Sequence, residues 1–332
     1  MPDCNVAPKY DVPRWNETRW NGCWNGADGV GIYLHAGRFR FDLDIWWAQV
    51  VAYLPDRELC VNRLWGPNLS DQGVHLDGLQ LTVTDDAWTA TYDGVGQLTT
   101  IDALARAPQG SSAPMRRMRF GISARATAPL WDMLDTGGGR NFVLAGDTHV
   151  QQAYRTTGTL QVSSDRRWGL DGVGFKDHSS GPRDLTNWYG HRYFQIVADD
   201  YVCHVILMHS PDGGEQEPWG VFYRDGIQSR VTRFDLPPIE DSAGGPVLGE
   251  AVIETDSGEY LEFRTELVHA LPMTVTLDND NINGVDWQID GNPMVIVEGK
   301  GRLTAPDGTI AYCFHERSTR RDRCKLPETR AP

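Results

Sequence analysis

Apolar and polar residues alternate along most of this chain in short runs that end at Gly, Pro, Asp or Asn. The runs GVGIYLHAGRF, QVVAYLPDRELCV, GLQLTVTDDAWTATYDG, YVCHVILMHSPDGG, GEYLEFRTEL and MVIVEGKGRLTAPDGTIAYCFHE carry the pattern most clearly. Successive side chains of a strand point to opposite faces, so a period of two predicts half-buried strands and hairpins. Turns are predicted at Pro55-Asp56, Asp93-Gly94, Pro211-Asp212-Gly213 and Pro306-Asp307-Gly308. Two apolar runs flanking a PDG turn make LTAPDGTIAYCF a strong hairpin signal. Helical periodicity is scarce, with short turns of helix expected only near residues 128–136 and 185–188. Many evenly spaced strands predict an all-β chain of sandwich or barrel architecture.

Two stretches read as connections: Arg106–Arg117, a long loop within the first half, and Asp235–Gly249, a turn-rich bridge in the second. No fixed-period repeat is visible, which argues against propellers and solenoids. A chain of 332 residues can bury a large core and is expected to form two domains or one large β domain.

Charge and cysteine usage narrow the function classes. A formal net charge of −14, spread without like-charge runs, disfavours nucleic acids and anionic membrane surfaces as partners. No stretch approaches the roughly 18 apolar residues of a membrane span, and the first residues lack a signal-peptide core, so a cytoplasmic location without membrane insertion is expected. The six cysteines are scattered with no C-x-x-C pair and read as free thiols.

Ionisable residues cluster in three otherwise apolar strands: GVGFKDHSSGPRD (Gly172–Asp184), VFYRDG (Val221–Gly226) and YCFHERS (Tyr312–Ser318). Buried charge is costly unless paired, so strands carry it for structure or for chemistry. Strand parity puts Phe175, Asp177 and Ser179 on one side and Lys176, His178 and Ser180 on the other. Asp177 and His178 share a cavity only if Gly174, Gly181 and Pro182 bend or bulge the strand. Two readings stand: an acid in a hollow with its neighbour fixing the geometry, or a strand end whose Asp and His satisfy backbone groups. In VFYRDG, Tyr223 and Asp225 share a face and could share a proton, while Arg224-Asp225-Gly226 equally reads as a plain turn. Tyr312, Phe314 and Glu316 share a face, and Glu298 lies across the PDG hairpin, near Glu316 or His315 according to register. Paired carboxylates at a barrel end would raise each other's pKa, and a solvated sheet edge is the other reading.

Most of the twelve tryptophans are expected in the core. Others could line an apolar pocket and stabilise a cation, and Trp20 and Trp24 share strand parity, as do Tyr33 and His35. His149, His191, His204 and His209 read as neutral core or surface histidines rather than metal ligands. No phosphate loop, dinucleotide fingerprint, nucleophile elbow or Cys/His nucleophile pattern occurs, so no cofactor is expected.

GFKDHSSGPRD, VFYRDG, VEGKGRL and AYCFHERS, with WNETRWNGCWNGADGVGIYLHAGR at Trp15–Arg38, resemble the carotenoid 1,2-hydratase and AttH-like superfamily, in its bacterial branch. The resemblance implies two lipocalin-like antiparallel β-barrel domains packed together, at 1–185 and 186–332, with a hydrophobic cavity near their junction. It implies cofactor-independent chemistry on a hydrophobic terpenoid or polycyclic substrate: hydration, dehydration or isomerisation at a C=C bond or alcohol. A cyclase, or a non-catalytic carrier of a hydrophobic ligand, is the alternative. Carried over residue by residue, it points to Asp177, His178, Tyr223 and Asp225, and further to Glu298 and Glu316. The expected donor is Asp177 or Asp225, protonated at neutral pH by burial, with His178 and Tyr223 orienting it. Trp20, Trp24, Tyr33, Trp168, Trp188, Phe222 and Phe314 are the expected substrate walls. Ser180 stands where relatives often carry Trp, a role that Trp168 or Trp188 would have to take. The sequence leaves the oligomeric state open, a homodimer included.

Overall fold

The computed structural model describes residues 3–106, 113–134, 146–275 and 292–325. The chain divides into two compact units, Met1–Thr99 with Ala113–Leu185, and Thr100–Ser112 with Thr186–Pro332.

The first unit contains β1 (Trp15–Asn25), β2 (Val30–Phe39), β3 (Asp42–Leu54), β4 (Glu58–Pro67), β5 (Gly73–Leu76), β6 (Leu79–Val83) and β7 (Ala87–Thr100). After the short helix α1 (Ile101–Arg106) follow β8 (Met115–Ala126), β9 (Trp131–Asp132), β10 (Thr148–Val162), β11 (Arg166–Gly169) and β12 (Gly172–Pro182). Eight strands close a ring in the order β10-β12-β1-β2-β3-β4-β7-β8, with β8 returning to β10. One face of each strand fills the ring with residues such as Cys23, Ile32, Leu34, Val50, Ala52, Trp88 and Leu160. Burying each large apolar side chain contributes about 1.5–3 kcal/mol.

The second unit is a closed barrel of consecutive antiparallel neighbours: β13 (Gly190–Val197), β14 (Tyr201–Met208), β15 (Trp219–Arg224), β16 (Ile227–Asp235), β17 (Leu248–Thr255), β18 (Tyr260–Val275), β19 (Met294–Thr304) and β20 (Ile310–Arg320). Phe194, Ile196, Val205, Phe222, Phe234, Ile253, Phe263 and Leu303 form its core. The connection from β16 to β17 tucks in through Leu236, and Arg317, itself inward-facing, donates to the carbonyls of Pro237 (2.9 Å), Pro238 (3.1 Å) and Gly244.

The two-barrel, all-β architecture expected from the sequence is present, and the PDG hairpin forms with Thr304 paired to Ile310. Three local expectations change. Asp93-Gly94 is not a turn: both residues lie inside β7, opposite Arg119 and Met118. Arg117 and Arg119 hold the Asp93 carboxylate, each at 3.0 Å, and keep the strand extended. Of Arg106–Arg117, expected as a long loop of the first half, Arg106 ends α1, which packs on β18 within the second unit, Met115–Arg117 open β8, and 107–112 lie outside the described residues. The turn expected at 128–136 holds β9 instead, with 135–136 outside the described residues, whereas Leu185–Asn187 does form a single helical turn. No helix of the described residues is long and apolar enough to cross a membrane.

Candidate functional site

β12 pairs with β1 and β10 without a register shift, so no bulge turns Asp177 and His178 to one side. His178 faces the interior of the first barrel, where its Nδ1 meets Asp3 Oδ1 at 2.6 Å and its Nε2 meets Glu17 Oε1 at 3.0 Å. Lys176 (3.0 Å) and Arg19 (3.3 Å) converge on the other Asp3 oxygen, and Arg38 holds Glu17 at 2.9 Å. Burial pushes the Asp3 carboxyl upward, but the His178 hydrogen bond and the charges of Arg19, His178 and Lys176 outweigh it and hold the group far below the carboxylate range. Glu17 is likewise held low. The expectation that His178 orients Asp177 is therefore corrected: strand alternation assigns His178 to a buried ion network.

Asp177 lies on the opposite face of β12, within three parallel rows of side chains that run across the sheet. The central row is Gln151, Asp177, Trp20, His35, Gln49 and Arg63, on β10, β12, β1, β2, β3 and β4. On one side lie His149, Ser179, Thr18, Gly37, Trp47 and Trp65, and on the other Ala153, Phe175, Gly22, Tyr33, Val51 and Val61. Trp20 packs against Phe175 (centroids 4.2 Å) and Tyr33 (5.8 Å). His149 Nε2 meets Asp177 Oδ2 at 2.6 Å, and Gln151 Nε2 donates to the same oxygen at 3.0 Å. Arg183 donates to Ser179 Oγ and, at 3.4 Å, to Thr18 Oγ1.

Burial alone would raise the Asp177 carboxyl, but the charge and hydrogen bond of His149, with Gln151 and Arg183, bring it below its ordinary range. Asp177 is thus a carboxylate coupled to an imidazole, which corrects the expectation of a carboxyl kept neutral by burial. Its side chain retains 13% of its surface, so it borders space that water can enter. His35, hydrogen-bonded to the Tyr33 hydroxyl at 2.9 Å, is pushed down to about 3 by burial and is neutral near pH 7.

The second unit places Glu298 directly opposite Glu316, settling the register that the sequence left open. Glu298 is buried, and Glu316 Oε1 meets His191 Nε2 at 2.7 Å. Burial pushes His191 down to about 3. Its Nδ1 accepts from Ser318 Oγ (2.7 Å) and Trp188 Nε1 (3.2 Å), which leaves Nε2–H to donate to Glu316. Phe314 shares that face with Glu316 and lies under Lys300, whose Nζ is 4.5 Å from the ring centroid. Tyr223 is buried, while Asp225 is exposed with φ 52° at the tip of the β15–β16 hairpin. The proton-sharing pair expected from parity does not form, because β15 ends at Arg224 and Asp225-Gly226 makes the turn.

The expected walls separate in the same way. Trp20 and Tyr33 join Asp177, whereas Trp24 sits two rows away against Tyr53. Phe222 belongs to the core of the second barrel, stacked on Tyr201. Trp168 lies against the first barrel's core with Arg166 over its ring, and Trp188 stacks on His191 at 5.5 Å. The sequence reading assigned none of His149, Gln151, His35 and Trp47 to the site: it took His149 as a neutral core or surface histidine and noted His35 only for sharing parity with Tyr33. Parity on β10 and β3 would have shown their faces, but only the register joins them to Asp177.

The described folds can be set beside known proteins. A Nitrosomonas europaea protein described as a putative AttH is 14% identical over 94% of each chain, with a TM-score of 0.62. CghA is 11% identical over 95% of this chain and 90% of its own, with a TM-score of 0.52. CghA solved with Sch210972 gives 12% identity, 96% and 94% coverage and a TM-score of 0.51. At these identities the likeness is one of fold, and the AttH-like architecture expected from the sequence motifs is the one observed. No curated protein sequence matches the chain. The model of the family described as domain of unknown function DUF7064 matches residues 3–319. Since that match spans nearly the whole sequence, the chain belongs to the DUF7064 family.

Proposed function

We propose that the protein is an acid–base catalyst acting on a C=C bond or alcohol of a hydrophobic small molecule, as a hydratase, dehydratase or isomerase. The observation that carries the reading is the half-buried Asp177 carboxylate, coupled to His149 at 2.6 Å and set in the sheet row of Trp20, whose ring packs on Tyr33 and Phe175. A proton held between Asp177 and His149 passes to one alkene carbon, forming a C–H bond from the π electrons and leaving a cation on the neighbouring carbon. Aromatic faces within about 6 Å stabilise such a cation. Water then forms the C–O bond and its surplus proton returns to the Asp177–His149 couple. Dehydration of a tertiary or allylic alcohol is the same path reversed. That CghA, which shares the fold, has been solved with the small molecule Sch210972 supports a small-molecule ligand for this architecture.

The test is turnover of isoprenoid alkenes and alcohols by Asp177→Asn, His149→Gln and, as a turn-residue control, Asp225→Asn. Loss of a positioned acid–base group is expected to slow the first two by about 10²–10⁴, with the control unaffected. Unchanged rates in both variants overturn the reading. A ring closure that survives Asp177→Asn but fails in Trp20→Ala identifies a cyclase, which depends on holding the substrate. Ligand recovered unaltered identifies a carrier.

A further inference from the structure

The interior of the first barrel holds a cluster of charge that the acid–base chemistry does not use. Arg19, Lys176 and His178 project inward and close on one carboxylate, that of Asp3 (3.3, 3.0 and 2.6 Å). Asp3 is not part of the barrel wall. It belongs to residues 3–6, a stretch without secondary structure that precedes β1. Arg19 also donates to the Asp3 carbonyl (2.9 Å) and to Asn5 Oδ1 (2.7 Å), and Arg38 donates to the Val6 carbonyl (3.0 Å). The Val6 N–H donates in turn to Glu17 Oε1 (2.8 Å). Arg19, Arg38 and Lys176 against Glu17 leave the wall with an excess of two positive charges before His178 is counted. Stability alone does not call for such a cluster, because apolar side chains of similar volume often serve as well or better. Asn21 adds an observation of another kind. It is 0% exposed, on the same interior face, with Lys176 of β12 on one side and Leu34 of β2 on the other. Neither its side-chain oxygen nor its side-chain nitrogen has a hydrogen-bond partner. Buried amides are normally satisfied, so this one points to a polar group that the chain does not supply.

We propose that this interior is the binding site of a small hydroxycarboxylate, and that Asp3 holds it as a tethered stand-in. The Asp3 carboxylate marks the place of the ligand's own: a guanidinium, an ammonium and an imidazole converge there, a donor set that recognises carboxylates. Asn21, beside Lys176, serves a hydroxyl on the ligand's next carbon as donor and acceptor at once. The room comes from residues 3–6 themselves, whose withdrawal frees what they fill. Their other holds are polar, from Asn5 to the carbonyls of Asp71 (2.7 Å), Ser70 (3.1 Å) and Gly73 (2.7 Å), and none of the four belongs to the barrel's apolar core. The tether keeps the Asp3 carboxylate at high effective concentration, so a free acid binds only when the segment is displaced. Asp177 faces the other side of β12, and the site stands or falls apart from the acid–base reading.

Asp3→Gly removes the stand-in. Lactate, acetate and chloride at matched ionic strength are the probes, read by calorimetry and by urea midpoint. Acetate is expected to bind the variant saturably with a Kd of about 1 mM, a reasonable affinity for so small a ligand. Lactate should bind about fivefold tighter, the scale of one recovered hydrogen bond, and chloride should give no saturable effect. Wild-type protein, with Asp3 in place, should bind none of them. Added to Asp3→Gly, Asn21→Leu should erase the preference for lactate and leave acetate binding in place, and Lys176→Met should weaken both acids about 10-fold. If Asp3→Gly does not fold unaided, excess lactate must restore its folded fraction where chloride does not. Absence of both saturable binding and rescue overturns the site. Equal binding by wild-type protein places the anion elsewhere and overturns it too, and equal affinities for lactate and acetate overturn the hydroxycarboxylate class.

Discussion

Adjacent residues on β12 do opposite jobs. Asp177 faces the aromatic row, and His178 joins Asp3, Glu17, Lys176 and Arg19 inside the first barrel. His178→Gln is therefore expected to cost stability rather than chemistry. Removing one member of a buried ion network costs about 3–5 kcal/mol, which urea unfolding would read. Turnover per folded molecule should stay close to wild type. A variant of normal stability that had lost turnover would return His178 to the site. Strand alternation made the separation of the two residues legible in the sequence. Nothing local revealed Asp3, which meets His178 from 175 positions away, or His149, placed beside Asp177 only by the β10–β12 register.

At the level of elements, glycines report how tightly each hairpin is specified. Gly226 follows Asp225 in the β15–β16 turn with φ +75°, and a Cβ there would meet nothing within 4 Å. Gly226→Ala should thus cost only the left-handed backbone penalty, about 1–2 kcal/mol. Gly31 on β2 is different: its Cβ would lie 2.4 Å from the Cys23 carbonyl oxygen and 2.9 Å from the Trp24 ring. Gly31→Ala must displace the β1–β2 pairing and should cost more than Gly226→Ala in the same denaturation series. The reverse order would contradict the packing of Trp24 across β2. Turn chemistry identified the PDG and RDG hairpins correctly because their strands are joined by few residues. It failed at Asp93-Gly94, where two arginines on the neighbouring strand hold the aspartate and the turn signal loses to the sheet.

For the molecule as a whole, buried histidines set the response to pH. His35, His191 and His204 are pushed down to about 3 by burial, and His209 to about 4. In the unfolded chain each would titrate near 6.5. A folded pKa below the unfolded one leaves the native state fully favoured above about pH 6.5 and progressively disfavoured as pH falls toward the folded value. The depressed carboxyls of Asp3, Glu17 and Asp177 act in the same direction, but only below about pH 4. Stability should therefore fall by roughly 1 kcal/mol or more per pH unit between pH 6.5 and 4.5. Urea midpoints at pH 7.5, 6.0 and 5.0 provide the check, His35→Phe should flatten the slope, and a level profile would refute the neutral assignments. The sequence showed nine histidines but not which were dry, since burial arises from strands distant in the chain.

The excursion of Thr100–Ser112 into the second unit has a bearing on how the molecule can be divided. α1 reaches β18 from a stretch flanked on both sides by strands of the first barrel, and Ser242 Oγ donates to the Ala105 carbonyl at 3.3 Å. Scission after Leu185 would leave one fragment with an orphaned helix and the other with uncovered β18 residues. An autonomous C-terminal half would have to bring that helix along as a graft.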